Sequence, residues 1–237
     1  MRLRNMVMSI QMNKIINTII GVGICAAAAT VPVQADDSKI TQGYYTMDAM
    51  GCMLLEECTT GVIEIHTMLD IAVHYPQTDF IPITIEFNRM MESLKRVGVN
   101  VYLAPEHYFP VANRGVYHTV SNNFYLNRRF MHRPHVLMRV MRHEGWHAAQ
   151  DCMAGTIDNS MIAIIKPEED VPMLWREMVE RTYPKESRPW EAEASWAGRT
   201  EGMTAKALEA CAAETMWSVY DPTPLTREWL VNNGYIN

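Results

Sequence analysis

Residues 134–152 read PHVLMRVMRHEGWHAAQDC, and this stretch determines the predicted fold of the chain. Proline is favoured at the first position of a helix, so we predict a helix that begins at Pro134 and continues to the end of the stretch. The segment carries the pattern H-E-x-x-H, formed by His143, Glu144 and His147. Residues four apart share one face of a helix, and both imidazoles can therefore reach a single metal ion. The intervening glutamate is well placed to activate a water molecule bound to that ion.

The apolar residues of this predicted helix place both histidines on its core-facing side. Val136, Val140, His143 and His147 follow one another at helical spacing and form a single stripe. A lone histidine on an apolar face is usually a core residue whose hydrogen bonds are satisfied. Two histidines that flank a glutamate are harder to explain in this way, because three desolvated polar groups need compensation. We therefore predict that His143 and His147 bind a metal ion and that Glu144 is the catalytic base.

The first 35 residues have the composition of a signal peptide. Basic residues are followed by an apolar run over residues 15–29 and by small residues up to Ala35. This run of about 15 residues is shorter than the ~20 that a membrane-spanning helix needs. We predict cleavage near Ala35 and export to the periplasm or the medium, without a stable membrane anchor. Residues 36–237 are then expected to form a single domain with a peripheral tail after Cys211.

Charge and composition limit the classes of partner. Hydrophobic residues make up 48% of the chain, which is the composition of an ordinary globular protein. The 21 Lys and Arg residues face 27 Asp and Glu residues, giving a formal net charge of −6. The longest basic run after residue 35 is Arg128-Arg129. Such a chain is a poor candidate for binding nucleic acid or anionic membrane surfaces.

The cysteines after residue 35 are Cys52, Cys58, Cys152 and Cys211. An even number in an exported protein favours two disulfides, for which sequence alone allows three connectivities. We favour Cys52–Cys58, which closes a short loop, and Cys152–Cys211. The second bond would tie the predicted helix that carries His143 and His147, here called the metal helix, to a later helix. A zinc site made of cysteines is the alternative, but no C-x-x-C pair is present.

Hydrophobic periodicity predicts an α+β fold, mainly helical, with a small mixed sheet that precedes the metal helix. Helices are expected over residues 44–63, 64–74, 83–97 and 172–180. Strands are expected over residues 99–104 and, in two pieces around a turn at Asn122-Asn123, over residues 117–126. The segment over residues 154–189 is either a lid over the site or a surface segment without a role there.

A catalytic zinc ion usually has three protein ligands and one open position, so a third ligand must come from elsewhere in the chain. No histidine follows His147; the others are His66, His74, His107, His118, His132 and His135. The longer pattern H-E-x-x-H-x-x-G-x-x-H is also absent, because the chain has Gln150 and Met153 at the decisive positions. A downstream ligand is therefore expected to be a carboxylate.

With these residues the chain resembles a small gluzincin-type member of the zincin metallopeptidases. Such proteins combine H-E-x-x-H on one helix with a glutamate on a later helix, which often reads E-x-x-A followed by Asp or Asn. The matching residues are Glu191 and Ala194, with Ser195 where the acid or amide often stands. The resemblance covers roughly residues 83–212. It implies a zincin-like fold, a bound Zn²⁺ ion and hydrolysis of peptide bonds in a peptide or protein substrate.

Two glutamates of this later segment are candidates for the third ligand. On a continuous helix Glu191 shares its face with small residues that would allow close approach to the metal helix: Ala194, Ser195, Gly198, Gly202 and Ala205. Glu193 shares its face with bulkier and more polar residues: Trp196, Ala197, Thr200 and Glu201. We therefore predict His143, His147 and Glu191 as metal ligands, with Glu193 as the alternative. Asp151 is a candidate for orienting a ligand histidine.

The resemblance also implies a donor for the oxyanion and an edge strand that aligns the substrate. The candidate donors are Tyr183, Tyr220, Arg188 and Arg199, and the expected strand lies within residues 117–126. Two other functions remain open: a non-catalytic exported binding or structural protein, and a hydrolase of another amide such as a cell-wall crosslink. Glu144 favours an enzyme, because a purely structural metal site does not need it.

Overall fold

The computed structural model describes residues 46–237. The predicted signal peptide, its cleavage site near Ala35 and the polar segment that follows lie outside this range. Within it the fold is α+β, about half helical, with a small mixed sheet of four strands. The helices are α1 (Thr46–Leu54), α2 (Met68–Ala72), α3 (Ile81–Arg96), α4 (Pro134–Met153), α5 (Met173–Glu180), α6 (Arg188–Ala197), α7 (Met203–Ala212), α8 (Met216–Val219) and α9 (Pro224–Asn232). The strands are β1 (Ile63–Ile65), β2 (Asn100–Ala104), β3 (Gly115–His118) and β4 (Asn123–Asn127).

The sheet has the order β1-β2-β4-β3, which makes β3 an edge strand. β2 and β4 run parallel in the middle, while β1 and β3 pair antiparallel with them at the two edges. In this register Tyr117 of β3 lies opposite Phe124 of β4. Two strands around a turn are present, as predicted, but the first begins at Gly115, and the turn ends at Asn122, which is left-handed at φ 55°, so that Asn123 already belongs to β4. β3 packs against α4, so its outer edge lies beside the H-E-x-x-H segment.

α4 is the element around which the others pack. Its 20 residues begin at Pro134, as proline at the first helical position predicts. The predicted apolar stripe is buried, including Val136, Val140 and His147. α3, α6, α7 and β3 all contact this helix. Because α4 is covered on several sides, its polar side chains lie in a largely apolar environment.

Both favoured disulfides are present, and the second connects two of the elements around the site. Cys52–Cys58 closes a loop of sequence separation 6, and Cys152–Cys211 joins α4 to α7 across a separation of 59. These two bonds are consistent with an exported protein. Among the helices of residues 46–237, none has the length and apolarity needed to cross a membrane.

The predicted helices over residues 44–63 and 64–74 are wrong in part. α1 ends at Leu54, because the chain turns back through Glu56, at φ 59°, into the disulfide at Cys58. The β-branched residues of β1 then form a strand instead of a helix. α2 starts only after Thr67, whose backbone N–H donates to the Asp70 carboxylate, a local start signal that the apolar spacing did not reveal.

The segment after Cys211, expected to be a peripheral tail, contributes side chains to the core. Met216 and Tyr220 belong to the same buried cluster as Trp146 of α4. The indole Nε1 of Trp217 donates to the carbonyl of Met153 at 3.3 Å, which caps the end of α4. The physical reason is that α8 follows α7 directly and covers apolar residues at the end of α4.

Candidate metal centre

Three predicted ligands converge between α4 and α6. His143 and His147 project from one face of α4, with ring centroids 5.0 Å apart and ring planes at 87°. Glu191, in the first turn of α6, directs Oε2 to within 3.3 Å of His143 Nε2 and 3.7 Å of His147 Nε2. One potential ligand atom from each residue lies within 4.8 Å of the others. These three residues could therefore hold a metal ion.

The close approach of α6 to α4 depends on small side chains. A Cβ atom at Gly198 would lie 3.1 Å from the carbonyl oxygen of Arg139 and 3.3 Å from Cβ of His143. Ala194 is fully buried in the same contact region. The predicted stripe does not extend further, because α6 ends at Ala197 and Gly202, at φ 75°, begins a new helix.

The electrostatic environment of Glu191 fits a metal ligand. Its Oε2 atom is buried and has no hydrogen-bond partner among the described residues. Burial by itself raises the pKa of Glu191, but the positive charges of the neighbouring His147 and His143 hold that pKa below its ordinary range. Burial also opposes ionisation of His147, yet the carboxylates of Glu191 and Glu144 raise its pKa to about 9. A buried anion facing two imidazoles is a donor set into which a cation fits.

Glu144 lies beside these ligands and is held by the sheet. Its Oε2 atom accepts a hydrogen bond of 3.0 Å from the backbone N–H of Tyr117 in β3. A Cβ atom at Gly115 would lie 3.3 Å from Cγ of Glu144 and 2.5 Å from Val140 Cγ1, so glycine is what allows β3 to approach α4. Burial raises the pKa of Glu144 above its ordinary value. The carboxylate is therefore a stronger base than one on the surface.

The orientation of His147 is fixed by Gln150, which the sequence reasoning missed. His147 Nδ1 lies 2.8 Å from Gln150 Oε1, and Gln150 Nε2 donates to Glu193 Oε2 at 2.7 Å. Because a carboxylate oxygen accepts, the amide nitrogen must face Glu193 and the amide oxygen must face the histidine. Nδ1 therefore carries a hydrogen, and Nε2 is the ring nitrogen that faces Glu191. The only signal in the sequence was the three-residue spacing between His147 and Gln150.

Glu193, the alternative ligand, is a buried hydrogen-bond acceptor. Besides Gln150, it accepts from Trp146 Nε1 at 3.1 Å and from the backbone N–H groups of Ile165 and Lys166 at 3.3 and 2.5 Å. Although the residues that share its helix face are bulkier and more polar, Glu193 is fully buried. Burial raises its pKa, and the four hydrogen bonds act against that rise. Glu193 thereby ties α4, α6 and the loop before α5 together.

Asp151, the candidate for orienting a histidine, contacts Tyr117 instead. Its Oδ2 atom accepts a hydrogen bond of 2.9 Å from the phenol of Tyr117, and Oδ1 has no partner among the described residues. Burial raises the pKa of Asp151 to about 8. Tyr117 therefore connects two buried carboxylates, Glu144 through its backbone and Asp151 through its side chain.

Of the four predicted oxyanion donors, Tyr183 lies at the site. Burial, followed by the negative charges of Glu191 and Glu144, raises the pKa of its phenol, which places the ring near both carboxylates. Arg188 instead donates to the backbone carbonyls of Tyr183 and Glu180 at 3.1 and 3.0 Å. The two remaining candidates pack against tryptophans: Tyr220 edge-on to Trp146 at 6.4 Å, and Arg199 over Trp175 at 5.8 Å.

The described residues thus form an α+β fold in which two histidines and one glutamate could hold a metal ion beside a half-buried glutamate, Glu144. Comparison of the chain with family models, with curated proteins and with solved structures gave no match.

Proposed function

We propose that this protein is an exported zinc-dependent hydrolase, a metallopeptidase that cleaves peptide bonds. The observation that carries the proposal is the convergence of His143, His147 and Glu191 beside Glu144. Two imidazoles and one carboxylate match the three-ligand sites in which zinc keeps one position open. Zinc bound there would polarise the scissile carbonyl and lower the pKa of a bound water towards ~7.

Glu144 is suited to the proton transfers of this reaction. The backbone N–H of Tyr117 holds one carboxylate oxygen at 3.0 Å and leaves the other free to accept a proton. Glu144 would take a proton from the attacking water and deliver it to the leaving amine. A raised pKa strengthens the carboxylate as a base and brings its proton affinity closer to that required for both steps.

Tyr183 and β3 would position the substrate. The raised pKa of Tyr183 keeps its phenol protonated, so that it can donate a hydrogen bond to the oxyanion that develops on the carbonyl. β3 is an edge strand beside α4, and an extended peptide could pair with the outer backbone groups of β3 that Glu144 does not occupy. In this proposal these groups would act together with Glu144 on the scissile bond.

The proposal is tested by measuring metal content and peptide hydrolysis in the same set of proteins. We expect about one zinc ion per chain in the wild-type protein purified without chelator. Glu191→Ala should lose zinc and activity, because the two imidazoles alone hold the ion weakly. Glu144→Gln should keep zinc and lose hydrolysis by about 10²- to 10⁴-fold. Glu201→Ala is the matched control, since this exposed glutamate lies just beyond α6.

Each part of the proposal has its own contrary result. Full zinc retention in Glu191→Ala would remove the third ligand, and undiminished hydrolysis by Glu144→Gln would remove the base. A wild-type protein that binds no zinc even when zinc is supplied would end the proposal. Zinc binding without hydrolysis of any peptide would favour the non-catalytic alternative or the hydrolysis of another amide.

A further inference from the structure

Four arginines surround the N-terminal half of α4 next to the metal centre: Arg114, Arg133, Arg139 and Arg199. We refer to them as the arginine cluster. Arg139 lies on the same face of α4 as His143, four residues earlier, which corresponds to about 6 Å along the helix axis. Arg139 is half-buried, whereas the other three are exposed. The cluster therefore adjoins the site on the side where α4 begins.

Two close backbone contacts bring Arg114 and Arg199 to the turn that carries Arg139. A Cβ atom at Gly115 would lie 2.5 Å from a side-chain atom of the α4 residue that follows Arg139. One at Gly198 would lie 3.1 Å from the carbonyl oxygen of Arg139 itself. Arg114 immediately precedes Gly115, and Arg199 immediately follows Gly198. Both arginines therefore lie next to the same turn of α4.

An aromatic ring connects the fourth member to the cluster. The guanidinium groups of Arg114 and Arg133 lie 5.6 and 5.7 Å from the centroid of the Phe130 ring. Such cation–π contacts hold an arginine in place without neutralising its charge. The positions of these two guanidinium groups are therefore supported from the side of Phe130, while their charge remains available.

No member of the cluster forms an ion pair with a carboxylate among residues 46–237. Arg142, on the same helix, pairs with Glu86 at 2.5 Å, and Arg129, also over Phe130, pairs with Glu106 at 3.2 Å. Burial, and then the charges of the other three cluster members, hold the pKa of Arg139 below its ordinary value. The repulsion among these like charges would be relieved by an anion bound between them.

We propose that the arginine cluster is a subsite for a carboxylate group of the substrate, close to the bond that is cleaved. The carboxylate belongs to an acidic side chain or to the free C-terminus of the peptide. That the subsite lies close to the cleaved bond rests on the proposed peptidase function. The binding of a carboxylate by the arginine cluster does not depend on that function. Arginine is suited to the role because its planar guanidinium forms paired hydrogen bonds with a carboxylate.

The charge of the whole chain makes a local cluster necessary for this selectivity. The formal net charge is −6, so the long-range field disfavours anionic peptides. At physiological salt the Debye length is about 8 Å, and only charges near the bound peptide then decide its affinity. The backbone of Arg139 is one helical turn, about 6 Å, from that of His143, which is within this distance.

The test measures binding and does not depend on turnover. Four dansylated pentapeptides are used: Ala-Ala-Glu-Ala-Ala and Ala-Ala-Gln-Ala-Ala, each with a free or an amidated C-terminus. Their affinities for zinc-loaded Glu144→Gln protein are measured by fluorescence anisotropy at low and at physiological salt. The first comparison isolates an acidic side chain and the second isolates the terminal carboxylate. Hydrolysis of the same peptides by the wild-type protein is measured in parallel.

We expect one of the two carboxylates to raise affinity about tenfold over the doubly neutral peptide at low salt, and less at high salt. Two variants are made in the Glu144→Gln background: Arg139→Gln, and the replacement of Arg114, Arg139 and Arg199 together by glutamine. Each should reduce this preference at least about threefold. Arg139→Lys should retain part of it. Arg96→Gln is the control, because Arg96 bonds to the carbonyl of Ala212 beside Cys211, near the opposite end of α4.

Equal affinity for all four peptides, or a preference that survives the triple change, would overturn the proposal. The absence of measurable binding by any peptide at millimolar concentration would overturn it as well. A carboxylate preference in a protein that hydrolyses no peptide would support the subsite while contradicting the peptidase function. The two failures are therefore distinguishable.

Discussion

The orientation of His147 depends on one amide, and the direction of that amide depends on Glu193. Gln150 accepts from the histidine ring and donates to the carboxylate, so its two ends have fixed roles. Glu193 is itself fixed by three further donors: one indole and two backbone N–H groups. Replacing a group that holds a metal ligand in this way commonly lowers metal affinity about 10- to 100-fold.

Gln150→Leu should weaken zinc binding about 10- to 100-fold, because His147 loses the acceptor that fixes its tautomer and ring position. The affinity is measured by competition with a chromogenic chelator. Gln77→Leu, the same change at an exposed residue, should leave the affinity unchanged. Equal zinc affinity in Gln150→Leu and wild-type protein would show that packing alone orients the ring.

Individual residues of the site differed in how far the sequence could predict them. His143, Glu144 and His147 follow from helical spacing within one segment, and the structure places them together. Glu191 required the further assumption of a small-residue contact, of which Gly198 is the essential part. The role of Glu193 as a buried hydrogen-bond acceptor could not be predicted, because its donors come from α4 and from residues 165–166. The proximity of these segments is a property of the tertiary fold.

At the scale of elements, the expected ranges were accurate for some parts of the chain and inaccurate for others. α3, α4, β2 and β4 match the expected ranges closely, and β3 shares only Tyr117 and His118 with its expected range. The chain between α1 and α2 does not match its expected ranges, because a disulfide, a left-handed residue at Glu56 and a helix start at Thr67 decide its course. Such local covalent and capping interactions override hydrophobic periodicity over a few residues.

The two disulfides should contribute differently to stability. Replacing Cys152 and Cys211 by alanine should lower the free energy of unfolding by about 4 kcal/mol, and the same change at Cys52 and Cys58 by about 2 kcal/mol. The reason is the difference in sequence separation, 59 against 6, which sets the entropy lost by the unfolded chain. Urea unfolding of the two double variants checks this order. A larger loss at the short loop would contradict the chain-entropy argument.

At the scale of the whole molecule, several carboxylates are buried around α4 and only part of their cost is offset by charged partners. Glu191 faces two histidines, whereas Asp151 has the phenol of Tyr117 and one unpartnered oxygen. Burial raises the pKa of Asp151 to about 8, from an ordinary value of 3.8. Between these two values the folded chain holds a proton that the unfolded chain has released.

The contribution of Asp151 to the free energy of unfolding should therefore fall as pH rises from about 4 to about 8. Asp151→Asn removes the ionisation but keeps an acceptor for Tyr117. We expect this variant to be more stable than the wild type by at least about 1 kcal/mol at pH 8, with the difference shrinking towards pH 5. Urea unfolding at the two pH values provides the measurement.

Asp170→Asn serves as the control for this pH dependence, because Asp170 is exposed in the loop before α5. Its effect should be small and equal at both pH values. A stability difference for Asp151→Asn that does not change with pH would mean that Asp151 stays ionised in the folded protein.

The hydrogen bond from the Tyr117 backbone to Glu144 has a consequence for how such a site can change during evolution. A main-chain N–H is present whichever amino acid occupies the position, except proline. Apart from proline, no replacement of Tyr117 removes this backbone donor. A protein that lacks the strand cannot gain the donor by changing a single side chain. This part of the site is therefore inherited with the strand pairing of β3 and β4, and not with the identity of any one side chain.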